Sequence, residues 1–425
     1  MRTIEWPGDA ARVVAELRAL APPSAAVREA VATIVADVRG RGDAAVRDWT
    51  GRLDGVELRE DYAVPSEELR TALIAAAPAL RAALELAAAN IRAYHEREAP
   101  RPWRATLAQG QVVGQEVVPV AAAGLYVPGG LADYPSSVLM TVLPAQVAGV
   151  DRVVVCSPPR PGGGVAPGVA AACALLGVER VYPVGGAQAV AAMALGTPVV
   201  PRCDVIAGPG NAYVTEAKRQ LVGEVGIDGL AGPSEVLVVV AAGADPEWLA
   251  ADLLAQSEHG AGAMACLADV GGTLSEPVRA AVERLGAELG LGHEQLVAVA
   301  CPDLDAAFEL CAAFAPEHLE LHLDDAAALV PRVRNAGAVF VGPNAATAFA
   351  DYAAGTNHVL PTGGAARFGQ GLSVAHFQRR VAVVELDDTA AAALAGAVAT
   401  IAEEEGLRAH ARSAALRAAR PGEQP

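Results

Sequence analysis

The stretch RVVVCSPPRPGGGVAPGVAAACALLGVERVYPVGGAQAVAAMALGTPVVPRCDVIAGPGNAYVTEAKRQLV, from Arg152 to Val222, decides the fold class. Its short apolar runs at Arg152 to Cys156, Arg180 to Val184 and Cys203 to Ala207 read as strands buried on both faces, because strands covered on both sides show no polar alternation. Helical segments lie between them, from Ala166 to Leu176 and Ala187 to Leu195, and a third runs from about Asn211 to Val222. Alternating strand and helix is the signature of a parallel α/β sheet. Outward from this stretch the pattern recurs: a strand over Val117 to Val127, then strand Glu235 to Val240, helix Pro246 to Ser257, strand Met264 to Val270 and strand Ala338 to Val341.

Before that region, from Met1 to about Trp103, Ala, Leu, Arg and Glu repeat near a period of 3.6, which predicts helix; after Val384 the pattern is again helical, from Asp388 to about Ala419. The predicted class is α/β, with two incomplete, atypical Rossmann-like parallel-sheet domains, an N-terminal helical segment and a C-terminal helical tail. Expected boundaries are a helical arm over 1–24, a first α/β domain over 25–125 and 234–375, a second over 126–233, and a tail over 376–425. An Ala-rich helix is marginal without a partner surface, so the tail is expected to dock on another subunit.

A chain of 425 residues exceeds one ordinary domain. With 53% hydrophobic and 19% charged residues it can bury enough apolar surface to fold. Its formal charge of −17 repels phosphate backbones and anionic lipid, so neither nucleic acid nor membrane is an expected partner. The start, MRTIEWPGDAARVV, has no basic and apolar leader, which points to the cytoplasm. Six cysteines occur singly with no CxxC spacing and read as buried free thiols.

Several residues can carry chemistry. In DLLAQSEHGAG, Gln256 and His259 lie three apart at a helix end and share a face, as a metal site or as a solvated helix end would have them. Asp351, in FADYAAGTNHVLPTGG, falls in a polar loop after a strand, with His358 near enough to orient it. In FAPEHLEL, Glu317 and His318 stand at a helix-to-strand junction, where neighbouring side chains can face one cleft and a carboxylate can work with an imidazole to move protons. The turns at Gly185-Gly186 and at Gly208-Pro209-Gly210, the latter leading to Asn211, could offer backbone N–H groups to a cofactor phosphate, or could be sharp corners; neither is GxGxxG. His95, His293, His322 and His376 have no companion ligand in the sequence and receive no role.

Together GLYVPGG, YPSSVLM, VGGAQAVAAMALGT, GPGNAYVTEAKR, AGPSEVLV, LLAQSEHG, FAPEHLEL, DYAAGTNHVLPTGG and EGLRAHARS resemble, in order, the motif series of histidinol dehydrogenase, from about Ala25 to His410. The resemblance implies a zinc-dependent, NAD-linked oxidation of L-histidinol through L-histidinaldehyde to L-histidine, with one zinc per subunit. It places the zinc ligands on Gln256, His259, Asp351 and His410, and the acid/base pair on Glu317 and His318. Substrate contacts fall on Ser234, Gln256, His259, His318, Asp351, Glu405 and His410, and cofactor contacts on Tyr126, Gln188 and Asn211. It also implies a homodimer whose tails complete each other's sites. Gly260, Ala350 and Gly369-Gln370 depart from the family's usual residues and bear on loop geometry. Two other functions compete: a related zinc and NAD enzyme acting on another primary alcohol, such as a sulfonated diol, and a two-lobed solute-binding protein. Glu405 and His410 weigh against the first; the missing leader and the Glu317-His318 pair weigh against the second.

Overall fold

The computed structural model describes residues 1–19, 26–129, 132–260, 262–292 and 295–418. Two units form, one from Met1–Glu98 with Val120–Phe377, the other from Ala99–Pro119 with Gln378–Pro425. His293 lies outside the described residues.

The larger unit holds two six-stranded sheets. The first runs, in spatial order, Arg2–Glu5, Leu296–Cys301, Met264–Val270, Glu235–Val240, His318–His322 and Ala338–Val341, parallel throughout. Its middle strand, EVLVVV, is buried at every position, as a strand covered on both faces must be. One face packs Val236, Val238 and Val240 against Leu249 and Leu253 of the helix Pro246–Ser257; the other packs Leu319 and Leu321 against Leu310 and Phe314. The helix begins cleanly because Asp245 caps it, accepting from the Glu247 N–H, and Pro246 sits where no N–H is needed.

The second sheet runs Val64–Pro65, Arg180–Pro183, Arg152–Ser157, Ala122–Tyr126, Val205–Ala207 and Gly226–Ile227, parallel except at the two-residue edge Val64–Pro65. The smaller unit has a three-stranded antiparallel sheet of Gln378–Glu385, Val112–Pro119 and Trp103–Thr106, and the helices Asp388–Glu404 and Arg408–Ala418.

Parallel α/β architecture is thus what the sequence predicts, but several boundaries need correction. The arm expected over 1–24 opens with a strand, Arg2–Glu5, before its helix Ala10–Arg18; RTIE has one buried residue, Ile4, and takes its extended form from pairing with Leu296–Cys301. The segment grouped as 25–125 divides. Val31, Ile34, Val38 and Val46 share a core with Met193, Val214 and Leu221 of the second sheet's helices, while Trp103–Thr106 and Val112–Pro119 belong to the smaller unit. The single strand expected over Val117 to Val127 is two strands in different sheets, Val112–Pro119 and Ala122–Tyr126. The tail is not all helix, since Gln378–Glu385 is a strand. All six cysteines are free and buried. Among the described residues no single helix is long and apolar enough to cross a membrane.

Candidate active site

The strand His318–His322 follows the helix Leu304–Phe314 after a tight turn at Ala315, which takes the left-handed φ of 50°. That conformation costs a residue bearing a Cβ roughly 1–2 kcal/mol, and strain of this kind tends to collect at functional sites. It reverses the chain so that Glu317 and His318 enter the first sheet at a strand's amino end. Open α/β sheets usually take ligands beyond their carboxyl ends, so this placement departs from the general rule.

Pairing of Val236 with His318 sets Glu235 beside the pair. The Glu235 N–H donates to Glu317 Oε2 at 2.9 Å, and His318 Nδ1 lies 3.1 Å from the Glu235 carbonyl oxygen. Since a carbonyl can only accept, Nδ1 carries the proton and Nε2 keeps its lone pair. Nε2 is buried, has no hydrogen-bond partner, and lies 3.8 Å from Asp351 Oδ1. Burial, reinforced by His259, lowers the His318 pKa to about 3, so the ring is neutral. Burial and the nearby Asp351 hold Glu317 well above the usual carboxylate range, opposed by a hydrogen bond from Ser234. Gly337 packs against the Glu317 main chain, so closely that a Cβ there would stand 2.5 Å from the Glu317 carbonyl oxygen.

Asp351 sits in the short helix Thr347–Tyr352, where the sequence suggested a loop. Burial, then Glu320, raises its pKa to about 7. His358 Nδ1 donates to its main-chain carbonyl at 2.9 Å, a bond to the helix backbone and not to the carboxylate, and Ser137 Oγ lies 3.4 Å from His358 Nε2. Gln256 is buried in the last turn of Pro246–Ser257 with Nε2 unpartnered; turning its amide over would present Oε1 there instead. His259, just past that helix, keeps part of its surface open to solvent, while the protein packed around its ring lowers its pKa. Repulsion from a protonated His259 would add to the lowering of both His318 and His358.

These residues suit a divalent cation: a carboxylate whose pKa is raised by burial and by a second carboxylate, an imidazole whose pKa burial lowers, and an amide with an orphaned buried atom. Glu405 and His410 stand on the smaller unit, both exposed, at the end of Asp388–Glu404 and in Arg408–Ala418.

The cofactor candidates converge elsewhere in the larger unit. Tyr126, Gln188 and Asn211 line one cavity of about 990 Å³ that also meets Asp54, Ser157 and Tyr213; Glu317, His318 and Asp351 do not line it. Tyr126 ends a strand of the second sheet, and its hydroxyl accepts from the Gly186 N–H at 3.1 Å. Gln188 is buried, with Nε2 3.4 Å from Asp54 Oδ2 and Oε1 unpartnered. Of the two readings open for the turn before Asn211, the structure favours the sharp corner. Asn211 Oδ1 itself accepts from the Tyr213 and Val214 N–H groups, and Asp228 takes the Gly208 N–H, so this helix start does not hold those N–H groups free for a phosphate.

Sequence reading missed Asp252 and Glu320 and gave His322 no role. Their donor atoms lie within 4.8 Å of one another. The signal was present in HLELH, whose period-two polar positions fall on a strand that is buried throughout; nothing in the sequence marks Asp252.

The profile of the family described as histidinol dehydrogenase matches residues 20–418. Histidinol dehydrogenase of Rhizobium meliloti is 46% identical over 92% of both chains, and that of Pseudomonas aeruginosa is 46% identical over 92% of this chain and 91% of its own. The crystal structure of histidinol dehydrogenase from Elizabethkingia anophelis superposes with a TM-score of 0.91 at 31% identity, covering 98% of each chain. By profile, by sequence and by fold, the chain belongs to the histidinol dehydrogenase family.

Proposed function

We propose that the protein catalyses the zinc-dependent, NAD-linked, four-electron oxidation of L-histidinol through L-histidinaldehyde to L-histidine, the closing steps of histidine biosynthesis. The observation that carries this reading is His318: a buried, neutral imidazole with its Nδ1 proton engaged and its Nε2 lone pair unpartnered beside Asp351. Family membership supplies the substrate.

Gln256, His259 and Asp351 would hold the zinc with His410, the last lent, with Glu405, by the partner chain of a homodimer. Exposed Val398, Ile401 and Leu416 on the tail helices, and Leu407 between them, support such docking. When bound, the zinc supplies a fixed anchor for the substrate's imidazole and amino nitrogens, and NAD, met by Tyr126, Gln188 and Asn211, supplies the acceptor for each of two hydrides.

The chain's own residues handle the protons. His318 Nε2 takes the hydroxyl proton as the alcohol becomes an aldehyde. Glu317, whose burial makes its carboxylate a stronger base when ionised, takes a proton from the water that adds to that aldehyde. His318, after passing its first proton to water, takes a second from the hydrated aldehyde as it becomes the carboxylic acid. Ser234, which bonds Glu317, would also meet the substrate.

The test is to incubate zinc-loaded protein with L-histidinol and NAD and to quantify reduced cofactor per histidine formed. Two is expected. A ratio of one with aldehyde as the end product, or no turnover of histidinol alongside turnover of another primary alcohol, rejects the proposal.

A further inference from the structure

The strand His318–His322 presents residues 318, 320 and 322 to one face, while Leu319 and Leu321 enter the core on the other. Its polar face lies under the helix Pro246–Ser257, an unusual place for charge in a parallel sheet. Glu320 is fully buried there. Its Oε1 accepts from both the N–H and the hydroxyl of Thr347, at 2.8 and 2.7 Å. Thr347 is the first residue of the helix that carries Asp351, and Ala346 before it makes no side-chain cap, so Glu320 does the capping from another element. The other oxygen, Oε2, lies 3.3 Å from His322 Nε2, which in turn lies 3.7 Å from Asp252 Oδ2. Asp252 stands one turn before Gln256. One buried carboxylate therefore joins the three elements that carry Gln256, His318 and Asp351.

The three donor sets are close enough to surround a cation of their own. Against that, Glu320 Oε1 is committed to the helix start, and no side-chain atom of Asp252, Glu320 or His322 is an orphaned buried atom.

We infer that Glu320 is a positioning residue for the metal site, fixing where the helix Thr347–Tyr352 begins and hence where Asp351 stands relative to Gln256 and His318. The inference rests on the zinc reading above, and residues behind metal ligands typically change metal affinity by about 10–100-fold when altered.

The experiment measures zinc affinity by competition with a chromophoric chelator, and the visible spectrum of the cobalt-substituted protein, for the full-length wild type and for Glu320→Ala, Glu320→Gln and Thr347→Val. Unfolding temperature serves as a folding control. Glu320→Ala is expected to weaken zinc binding by about 10–100-fold and to alter the cobalt spectrum. Glu320→Gln, which keeps an oxygen for Thr347, is expected to recover most of the affinity, and Thr347→Val to show a smaller loss. If Glu320→Ala fails to fold, the other two variants decide: wild-type affinity and spectrum in Thr347→Val together with full loss in Glu320→Gln would overturn the capping role. Wild-type affinity and spectrum in a folded Glu320→Ala would overturn the inference. Two zinc ions per wild-type subunit, falling to one in Glu320→Ala, would overturn it in favour of a second cation site. A wild-type chain that binds no zinc would sink the underlying metal reading, which the same titration reports separately.

Discussion

Replacing Asp351 by asparagine should make the metal-free protein more stable while weakening its hold on zinc. Burial and the Glu320 charge raise the Asp351 pKa from 3.8 to about 7, and its side chain is 19% exposed. A raised carboxylate pKa means that the folded state resists ionisation. The stability tied to its neutral form is complete below pH 3.8 and is lost as pH rises through about 7. At pH 8 the wild type therefore carries an uncompensated buried charge costing at most about 4 kcal/mol, which asparagine removes. At pH 3.5 the two proteins should differ little, because aspartic acid is neutral in both states. The assay is urea unfolding of chelator-treated wild type and Asp351→Asn across pH 3.5 to 8, followed by circular dichroism. Most other titrating groups are common to both proteins; Glu317, which the Asp351 charge also holds up, relaxes in the variant and adds to the difference with the same sign. A gain that does not grow with pH, or one under about 1 kcal/mol at pH 8, would show that the carboxylate is solvated or paired and would refute the argument. Zinc affinity of the same variant should fall, since a carboxylate ligand has been replaced by a neutral amide.

Gly337→Ala should press a methyl group onto the Glu317 carbonyl and lower kcat by about 100-fold, with zinc affinity changed little; wild-type kcat would show that the strand shifts freely. His318→Ala should abolish turnover with zinc content near that of the wild type, and loss of metal would move His318 into the ligand set. Mixing His410→Ala with His318→Ala protein should restore some activity after subunit exchange, and inactive verified heterodimers would argue against shared sites.

How much of this could be read from sequence follows from which forces are local. Glu235–Val240 and Met264–Val270 were legible because strands buried on both faces are written as continuous apolar runs. Arg2–Glu5 and Gln378–Glu385 were not. Their sequences RTIE and QRRVAVVE leave most positions exposed or half-buried, and it is a partner strand that makes them extended. The Asn211 turn stays undecided in the sequence for a related reason: a helix start offers N–H groups, but a capping side chain can satisfy the same groups from within.

The site shows the converse. His318, Glu320 and His322 break the apolar run that their position between Glu235–Val240 and Ala338–Val341 calls for. Such a departure is costly, because each buried polar group must find a partner or be left to do chemistry. Glu320 and His322 find partners in Thr347, Asp252 and each other; His318 Nε2 does not. The unpartnered atom is thus the one that chemistry must use, and its neighbours along the strand are satisfied so that it alone remains open. A polar alternation on a strand that topology buries on both faces therefore locates the site more sharply than either the Glu317-His318 dipeptide or the Gln256 and His259 spacing does on its own.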